Sequence, residues 1–249
     1  MLPNTPLTQI EADIVKLLAE GLTRREIEDE LRLSEKSVKK HISILLTKFG
    51  GNNLRDIFFR LKEYYEYFIK LDGRFFYHSL ILDLNADQDM RTVRTHKKSD
   101  VEVAHKEASE NVFVAYEREG QVEDILYNGQ PMTLVNTMNA RGRYVHKYPY
   151  PLQPGTKFFK EETATMRRNT VQDEHSFNFE VGFPCAYFEW NINFPPNKRP
   201  KSIDTEFFFM DQKTSSISKD ITIRDTETGL YISYPRPKFG VLIRATWTW

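Results

Sequence analysis

The chain has 249 residues, of which 40% are hydrophobic and 28% charged, values typical of a folded globular protein with one large domain or two modest ones. Its 35 basic and 35 acidic residues give a formal net charge of zero, so the overall charge does not favour nucleic-acid binding, and any such site must be local. The single cysteine, Cys185, excludes an internal disulfide bond.

The first fifty residues have the apolar periodicity of α-helices. A hydroxyl residue followed three positions later by glutamate forms a capping box, which satisfies the unpaired amides at a helix start. Two pairs have this spacing: Thr8 with Glu11, and Thr23 with Glu26. Ser34 is predicted to cap a third helix, and a fourth helical run extends from near Asn53 to about Leu71. We therefore predict four helices at the N-terminal end.

After Gly73 the apolar period changes to two, the spacing of β-strands. The predicted strands are Phe75 to Leu84, Asn111 to Arg118, Met132 to Thr137, Ser176 to Phe194, Ile203 to Gln212, Ile217 to Arg224, Gly229 to Tyr234 and Gly240 to Trp249. Turn dipeptides such as Asn128-Gly129 separate them. The proline-rich segment from Tyr148 to Gly155 is predicted to be an extended loop. This pattern predicts an antiparallel β-sandwich or barrel.

The third helix has two chemically different faces at 100° per residue. Val38, Ile42, Leu45 and Phe49 form its apolar face. The opposite face contains Lys36, Lys40, Ser43 and Thr47, with Lys39 beside them. A cationic face with slender side chains suits entry into the major groove of DNA and contact with phosphates. The alternative is a module for protein contacts whose lysines are merely solvated.

The segment from Leu7 to Gly50 also resembles a known family. It reads "LTQIEADIVKLLAEGLTRREIEDELRLSEKSVKKHISILLTKFG", which is similar to the LuxR-type (GerE-type) helix-turn-helix domain over about residues 6–68. The matching positions are Leu7, Thr8, Glu11, Gly21, Leu22, Thr23, Glu26, Ile27, Leu31, Ser34, Ser37, Val38, Lys39, His41, Lys48 and Gly50. The resemblance implies a four-helix fold that binds double-stranded DNA.

The resemblance also implies which residues would contact DNA. Ser37, Val38 and Lys39 hold the base- and phosphate-contacting positions at the start of the recognition helix. The helical wheel adds Lys36, Lys40 and Ser43, and the start of the second helix adds Thr23 and Arg24. These eight residues are the predicted DNA-binding site.

No family resemblance identifies the β-rich part. It has no nucleophile elbow, phosphate-binding loop or dinucleotide-binding motif, its histidines are scattered, and Cys185 is expected to be a buried, inert thiol. Two features stand out. The basic cluster Arg91, Arg94, His96, Lys97 and Lys98 is either a solvated strand face or a site for a phosphate-bearing ligand or flanking DNA. The aromatic alternation from Phe177 to Phe194 forms either a core or a ligand pocket.

These observations predict a multidomain protein with helices first and strands second. The predicted divisions are a helix-turn-helix core at residues 1–52, a linking fourth helix at 53–72 and a β-rich domain at 73–249. We expect a bacterial, cytoplasmic transcriptional regulator that binds DNA as a homodimer, without a cofactor or enzymatic activity, and whose β-rich domain senses a small-molecule or protein signal or mediates assembly. The chain contains no apolar run of membrane-spanning length. The aromatic face with Phe58 and Tyr65 is a candidate dimer seam or, equally, a seat for the β-rich domain.

Two alternatives remain open at this point. In the first, the β-rich domain is an effector or enzyme, which the helix-turn-helix localises or autoregulates. In the second, the helices are a protein-interaction module within a larger assembly.

Overall fold

In the computed structural model, the described part of the chain comprises residue 3 and residues 5–69, 74–88, 91–116, 120–138, 141–168, 174–209, 212–213, 221–237 and 240–248. Four helices come first: α1 (Gln9–Ala19), α2 (Arg24–Leu31), α3 (Glu35–Phe49) and α4 (Leu54–Tyr64). A π-helical turn, Tyr65–Ile69, continues α4. The two predicted capping boxes are present, and Ser34 and Asn53 cap α3 and α4. The prediction of four N-terminal helices is therefore confirmed.

The four helices enclose one apolar core. Each helix contributes side chains that are inaccessible to solvent: Ile14 of α1, Ile27 of α2, Val38 and Leu45 of α3, and Ile57 of α4. Burial of one such side chain stabilises a fold by about 1.5–3 kcal/mol relative to leaving it exposed. Packing of the apolar stripes, rather than helix propensity, therefore fixes the position of α3 against its neighbours.

The remaining described residues are almost entirely strands. They are β1 (Phe75–Ala86), β2 (Thr92–Val103), β3 (Ala108–Tyr116), β4 (Gly120–Tyr127), β5 (Gln130–Pro131), β6 (Thr133–Met138), β7 (Arg141–Leu152), β8 (Lys157–Arg168), β9 (Glu174–Glu180), β10 (Tyr187–Asn193), β11 (Ser202–Phe209), β12 (Gln212–Lys213), β13 (Thr222–Asp225), β14 (Gly229–Pro235) and β15 (Val241–Thr248). The coarse prediction of an α plus β protein is confirmed.

The strands form three sheets. The largest has eight strands in the order β13-β14-β10-β1-β2-β8-β4-β5, and two smaller sheets have the orders β12-β11-β15-β9 and β3-β7-β6. The sheets are not wholly antiparallel, because β1 and β10 pair in parallel, with Leu80 opposite Phe188. This pairing follows from the long connection between the two strands, which lets the chain return to the same end of the sheet.

Three local predictions differ from the structure. The proline-rich segment is not a loop, since Tyr148 to Leu152 belong to β7. The aromatic run from Ser176 to Phe194 is two strands, β9 and β10, in different sheets, separated by a turn that contains Phe183. Strands β2, β4, β5, β7 and β8 were not predicted, because polar and charged residues or prolines fill many of their positions. Part of the predicted strand from Ile217, together with Trp249, lies outside the described residues.

Both smaller sheets pack on the same face of the eight-stranded sheet. Residues that pair directly across neighbouring strands point to the same face of a sheet. One row of such residues crosses β10, β1, β2, β8 and β4 and consists of Trp190, Leu82, Lys97, Glu162 and Tyr127. At one end of this row, Trp190 and Leu82 share a core with Ile243 and Trp247 of β15. At the other end, Tyr127 shares a core with Ala115 and Tyr144 of the β3-β7-β6 sheet. Lys97 therefore lies at the seam between the two smaller sheets.

A candidate nucleic-acid interface and a buried polar cluster

Helix α3 presents a cationic face to solvent. Its apolar face is buried in the helical core, whereas Lys36, Lys39, Lys40, Ser43 and Thr47 are exposed. We call these five residues the outer face of α3. No carboxylate belongs to this face itself, although Glu35 at the first position of the helix forms an i,i+4 ion pair with Lys39. The Lys39 ammonium donates to Glu35 and thereby lowers the pKa of that carboxyl.

The predicted DNA-binding residues divide between this face and its surroundings. Lys36, Lys39, Lys40 and Ser43 are exposed, as are Thr23 and Arg24 at the start of α2. Ser37 is half-buried, and its amide donates to the Ser34 hydroxyl at 3.2 Å. The side chain of Val38 is fully buried in the core between the helices, so it is unavailable to a ligand on the outer face. Thr23 uses its hydroxyl in the capping box with Glu26.

A second site lies inside the β-rich part. It consists of five side chains, which we call the buried polar cluster: Tyr77, Lys97, Asn111, Lys160 and Glu162. Lys97 Nζ lies 2.8 Å from Glu162 Oε2, and Asn111 Nδ2 donates to Glu162 Oε1 at 2.6 Å. Lys160 Nζ donates to Tyr77 Oη at 2.8 Å and to Asn111 Oδ1 at 2.9 Å. These hydrogen bonds join β1, β2 and β8 of the large sheet to β3 of the three-stranded sheet.

The electrostatics of the cluster keep Glu162 and Lys97 ionised. Burial alone would raise the pKa of Glu162, but the Lys160 and Lys97 ammonium groups and the Asn111 amide outweigh it and hold that pKa at about 2. Burial alone would lower the pKa of Lys97, yet the Glu162 carboxylate raises it above the ordinary value. Both partners therefore carry their charges at neutral pH.

The surrounding ionisable groups remain neutral. Burial raises the pKa of the Cys185 thiol to about 12, in agreement with the expectation of an inert thiol. Burial also raises the pKa of Tyr127 and of Tyr148, whose hydroxyls lie 3.2 Å apart. Because a permanently charged lysine and a permanently charged carboxylate are poor at accepting or releasing protons, the geometry of the cluster suits charge recognition better than general acid–base chemistry.

The basic cluster predicted from the sequence is divided between two faces of β2. Lys97 points inward to Glu162. Arg94, His96 and Lys98 lie on the other face, where their partners are Asp87, Glu161 and Asp83, respectively. The alternation of side chains along a strand separates neighbours in sequence, so this segment does not form a single cationic surface for DNA or phosphate. Of the two alternatives left open by the sequence, a joint site for phosphate or DNA is therefore not formed, and Arg94, His96 and Lys98 lie on a partly exposed strand face.

Sequence reasoning missed four members of the buried polar cluster: Tyr77, Asn111, Lys160 and Glu162. The sequence holds no signal for them, because the exposures that distinguish Lys160 (1%) from Phe159 (53%) follow only from the folded structure. A strand that turns a phenylalanine outward and a lysine inward has reversed the usual pattern. Such a reversal occurs where buried polar groups have partners from other strands.

The described residues contain neither a metal-binding cluster nor a membrane-spanning helix. No group of three or more histidine, cysteine, aspartate or glutamate side chains is arranged to hold a metal ion within the described ranges. Over the same residues, the helices are too short or too polar to cross a membrane.

Comparison with known proteins identifies the helical part. The sequence model of the family described as bacterial regulatory proteins, luxR family (GerE), matches residues 5–60. These residues form a LuxR-type helix-turn-helix domain. The same region is 46% identical over 48 residues to the DNA-binding transcriptional activator DevR/DosR of Mycobacterium tuberculosis, a match that covers 19% of this chain and 22% of that protein. The chain thus spans about a fifth of this curated relative.

Solved structures match a larger share of the chain than the LuxR-type domain occupies. One match is the E323A mutant of an M1 zinc metallopeptidase from Deinococcus radiodurans, bound to a Tyr-Ser-Ala substrate. The aligned region covers 69% of this chain and 42% of the metallopeptidase chain, with 16% sequence identity and a TM-score of 0.38. A second match is the native leukotriene A4 hydrolase of Saccharomyces cerevisiae. The aligned region covers 70% of this chain and 29% of the hydrolase chain, with 10% sequence identity and a TM-score of 0.40.

These matches correct two predictions. The sequence analysis predicted a transcriptional regulator with a β-rich sensing or assembly domain, and no enzyme. Both predictions are wrong by this comparison, because the structures that match most of the chain are enzymes, in line with the alternative of an effector or enzyme part. TM-scores of 0.38 and 0.40 transfer no active-site residue, metal or substrate to this chain, and the LuxR-type domain remains the identified part.

Proposed function

We propose that the LuxR-type domain binds double-stranded DNA through the outer face of α3 and thereby localises the β-rich part, which is the effector of the protein. The observation that carries the DNA-binding proposal is the division of α3 into a buried apolar face and an exposed face with three lysines. A helix of this kind fits the major groove, where its lysines reach phosphates and its small polar residues reach base edges.

The proposed contacts differ in the part of the DNA that they reach, either the phosphates or the bases. Lys36, Lys39 and Lys40 would neutralise phosphates, and Ser43 and the half-buried Ser37 would face the bases. Arg24, with the free amides at the start of α2, would contact a further phosphate. Val38 supports α3 from the core instead of contacting DNA.

We also propose that the protein binds DNA as a homodimer through α4. Phe59 of α4 is 82% exposed and Phe58 is 40% exposed, and their rings lie 6.1 Å apart at an edge-to-face angle. Adjacent exposed phenylalanines on one helix are unusual on a surface that remains in water. One recognition helix with a few phosphate contacts is too weak for the nanomolar affinity of specific sites, whereas two copies supply enough contacts.

The test of this proposal is selection of bound fragments from a random DNA pool with the full-length protein. Enrichment of a two-fold symmetric sequence is expected for a homodimer. The enriched fragment then serves in binding assays of Lys39→Ala and Lys40→Ala, which should weaken binding while the thermal unfolding midpoint stays unchanged. Parent-like binding by both variants would exclude the outer face of α3 as the interface.

For the β-rich part, the effector proposal rests on the charged cluster that it encloses. The proposal also places the protein in the cytoplasm, where DNA is available. The test is a panel of peptidase, esterase and nuclease substrates incubated with the full-length protein. Turnover that is lost in Lys97→Met, which removes the partly exposed charge of the cluster, and retained in Lys98→Met, on the opposite face of β2, would assign an activity to the β-rich part. Absence of turnover across the panel would restrict the effector role to binding.

A further inference from the structure

The buried polar cluster has an excess of positive charge. It contains two ammonium groups, on Lys97 and Lys160, and one carboxylate, on Glu162. The neighbouring thiol and phenols do not compensate, because burial raises the pKa of Cys185, Tyr127 and Tyr148. A net positive charge beneath the surface is unfavourable unless an anion accompanies it.

The three charged groups differ in their access to solvent. The side chains of Lys160 and Glu162 are 2% and 1% exposed, whereas that of Lys97 is 17% exposed. Lys97 is therefore the charged member of the cluster that a molecule from solution can reach. It lies between the part of the large sheet that shares a core with β15 and the part that shares a core with β3 and β7.

The hydrogen bonds of the cluster leave Lys97 with capacity for a ligand. Lys160 and Asn111 each make two of the hydrogen bonds described above, Glu162 Oε1 accepts from Asn111, and Glu162 Oε2 forms an ion pair with the Lys97 ammonium at 2.8 Å. For Lys97 the described ionic partner is Glu162, so the ammonium group retains two hydrogens for other acceptors. Ser99, two positions along β2 on the same face, is 1% exposed, and its hydroxyl has no hydrogen-bond partner among the described residues.

The walls beside Lys97 are aromatic. Lys97 Nζ lies 5.6 Å from the ring centroid of Tyr77 and 5.5 Å from that of Phe183, and the two rings lie 4.2 Å apart. The phenylalanine is only partly buried. An ammonium group next to an exposed aromatic edge recognises a molecule that combines a negative charge with an apolar body.

We propose that this seam is a binding site for a small organic carboxylate. The carboxylate would pair with the Lys97 ammonium and accept a hydrogen bond from Ser99, whose Cα lies about 7 Å from that of Lys97 along an extended strand. The apolar body of the ligand would contact Phe183. The bound anion would neutralise the charge excess of the cluster.

Sodium benzoate is the probe for this proposal, measured by isothermal titration and thermal unfolding of the full-length protein. Benzoate is expected to bind saturably in the millimolar range and to raise the unfolding midpoint. Benzyl alcohol, which has the same ring without the charge, and sodium chloride at equal ionic strength are expected to have little effect. Equal stabilisation by chloride would overturn the assignment of an organic carboxylate, and so would the absence of saturable benzoate binding.

Matched variants locate the site. Lys97→Met is expected to weaken benzoate binding about tenfold or more, because it removes a charge-assisted hydrogen bond. Lys98→Met, on the opposite face of the same strand, should bind benzoate like the parent. Should Lys97→Met fail to fold, Ser99→Ala changes no charge and is expected to weaken binding several-fold. Parent-like benzoate binding in Lys97→Met, or in Ser99→Ala where that variant replaces it, would overturn the proposed site.

Discussion

Lys48 of α3 donates from Nζ to Glu11 Oε2 of α1 at 2.7 Å, and the same carboxylate oxygen accepts the amide of Thr8 at 2.8 Å. Glu11 is only 3% exposed. A single carboxylate therefore completes the capping box of α1 and fixes α3 against it. The outer face of α3 owes its orientation in part to this link.

Lys48→Met is expected to lower the free energy of unfolding by about 3 kcal/mol, because it leaves the buried Glu11 carboxylate without its cation. Urea unfolding of the full-length protein measures this loss. Lys16→Met removes an exposed lysine from α1 and should change the stability by less than about 0.5 kcal/mol. A Lys48→Met variant as stable as the parent would show that the pair does not stabilise the helical core.

Acid is expected to destabilise the protein through Glu162. The folded protein holds the pKa of this carboxyl at about 2, below its ordinary value of 4.5, so its contribution is complete above pH 4.5 and is lost as the pH falls towards 2. The loss over this window is roughly 3 kcal/mol. Urea unfolding at pH 7 and pH 3 should show a smaller pH effect in Glu162→Gln than in the parent, and Glu161→Gln should keep the parental dependence. An unchanged pH effect in Glu162→Gln would contradict this origin.

Lys40→Ala is expected to reduce the dependence of DNA affinity on salt. A lysine that neutralises one phosphate contributes about 0.9 units to the slope of log affinity against log salt concentration. Titrations of one duplex at several salt concentrations measure the slope. Lys147→Ala, an exposed lysine of β7, is the control for total charge. Equal slopes for the two variants would indicate that Lys40 attracts DNA only through its charge at a distance.

Phe59→Ser is expected to shift the protein from dimer to monomer with little loss of monomer stability, since 82% of the Phe59 side-chain surface is already exposed. Analytical ultracentrifugation over a range of concentrations measures the dissociation. Phe159→Ser, at an exposed phenylalanine of β8, is the matched control. A parent whose sedimentation stays monomeric at all concentrations would disprove the dimer proposal directly.

Gly229→Ala is expected to destabilise the large sheet by about 3 kcal/mol, a value typical of severe steric changes in a core. A Cβ at this position would lie 1.8 Å from the carbonyl oxygen of Ile192, and backbone atoms of paired strands cannot move apart without breaking the ladder. Gly182→Ala is the control, because a Cβ there meets no atom within 4 Å. Thermal unfolding compares the two, and equal midpoints would contradict the predicted clash.

The helical part was predictable because its signals are local. Thr8 with Glu11, and Thr23 with Glu26, are three residues apart, and each pair forms the capping box that its spacing predicts. The two faces of α3 also follow from a repeat within fifteen residues. Whether the outer face contacts DNA remains a prediction, because exposure permits contact without establishing it.

The buried polar cluster was not predictable, because its members come from four strands. Asn111 and Glu162 are 51 positions apart, and Tyr77 and Lys160 are 83 apart. A lysine in a single strand has the same appearance whether it faces water or a carboxylate from another strand. For the same reason, the sequence left two alternatives open for the basic segment around Lys97: Glu162, the carboxylate that Lys97 faces, belongs to a strand far away in the sequence.

The parallel pairing of β1 with β10 has a consequence for how the protein is made. Asp83 and its partner Asn191 are 108 residues apart, so β1 cannot acquire this neighbour until the ribosome has synthesised most of the chain. The LuxR-type domain, by contrast, depends on short-range contacts and precedes β1. During translation the four helices are therefore able to fold while the sheet is still incomplete, and the nascent β1 needs protection from aggregation until its distant partner emerges.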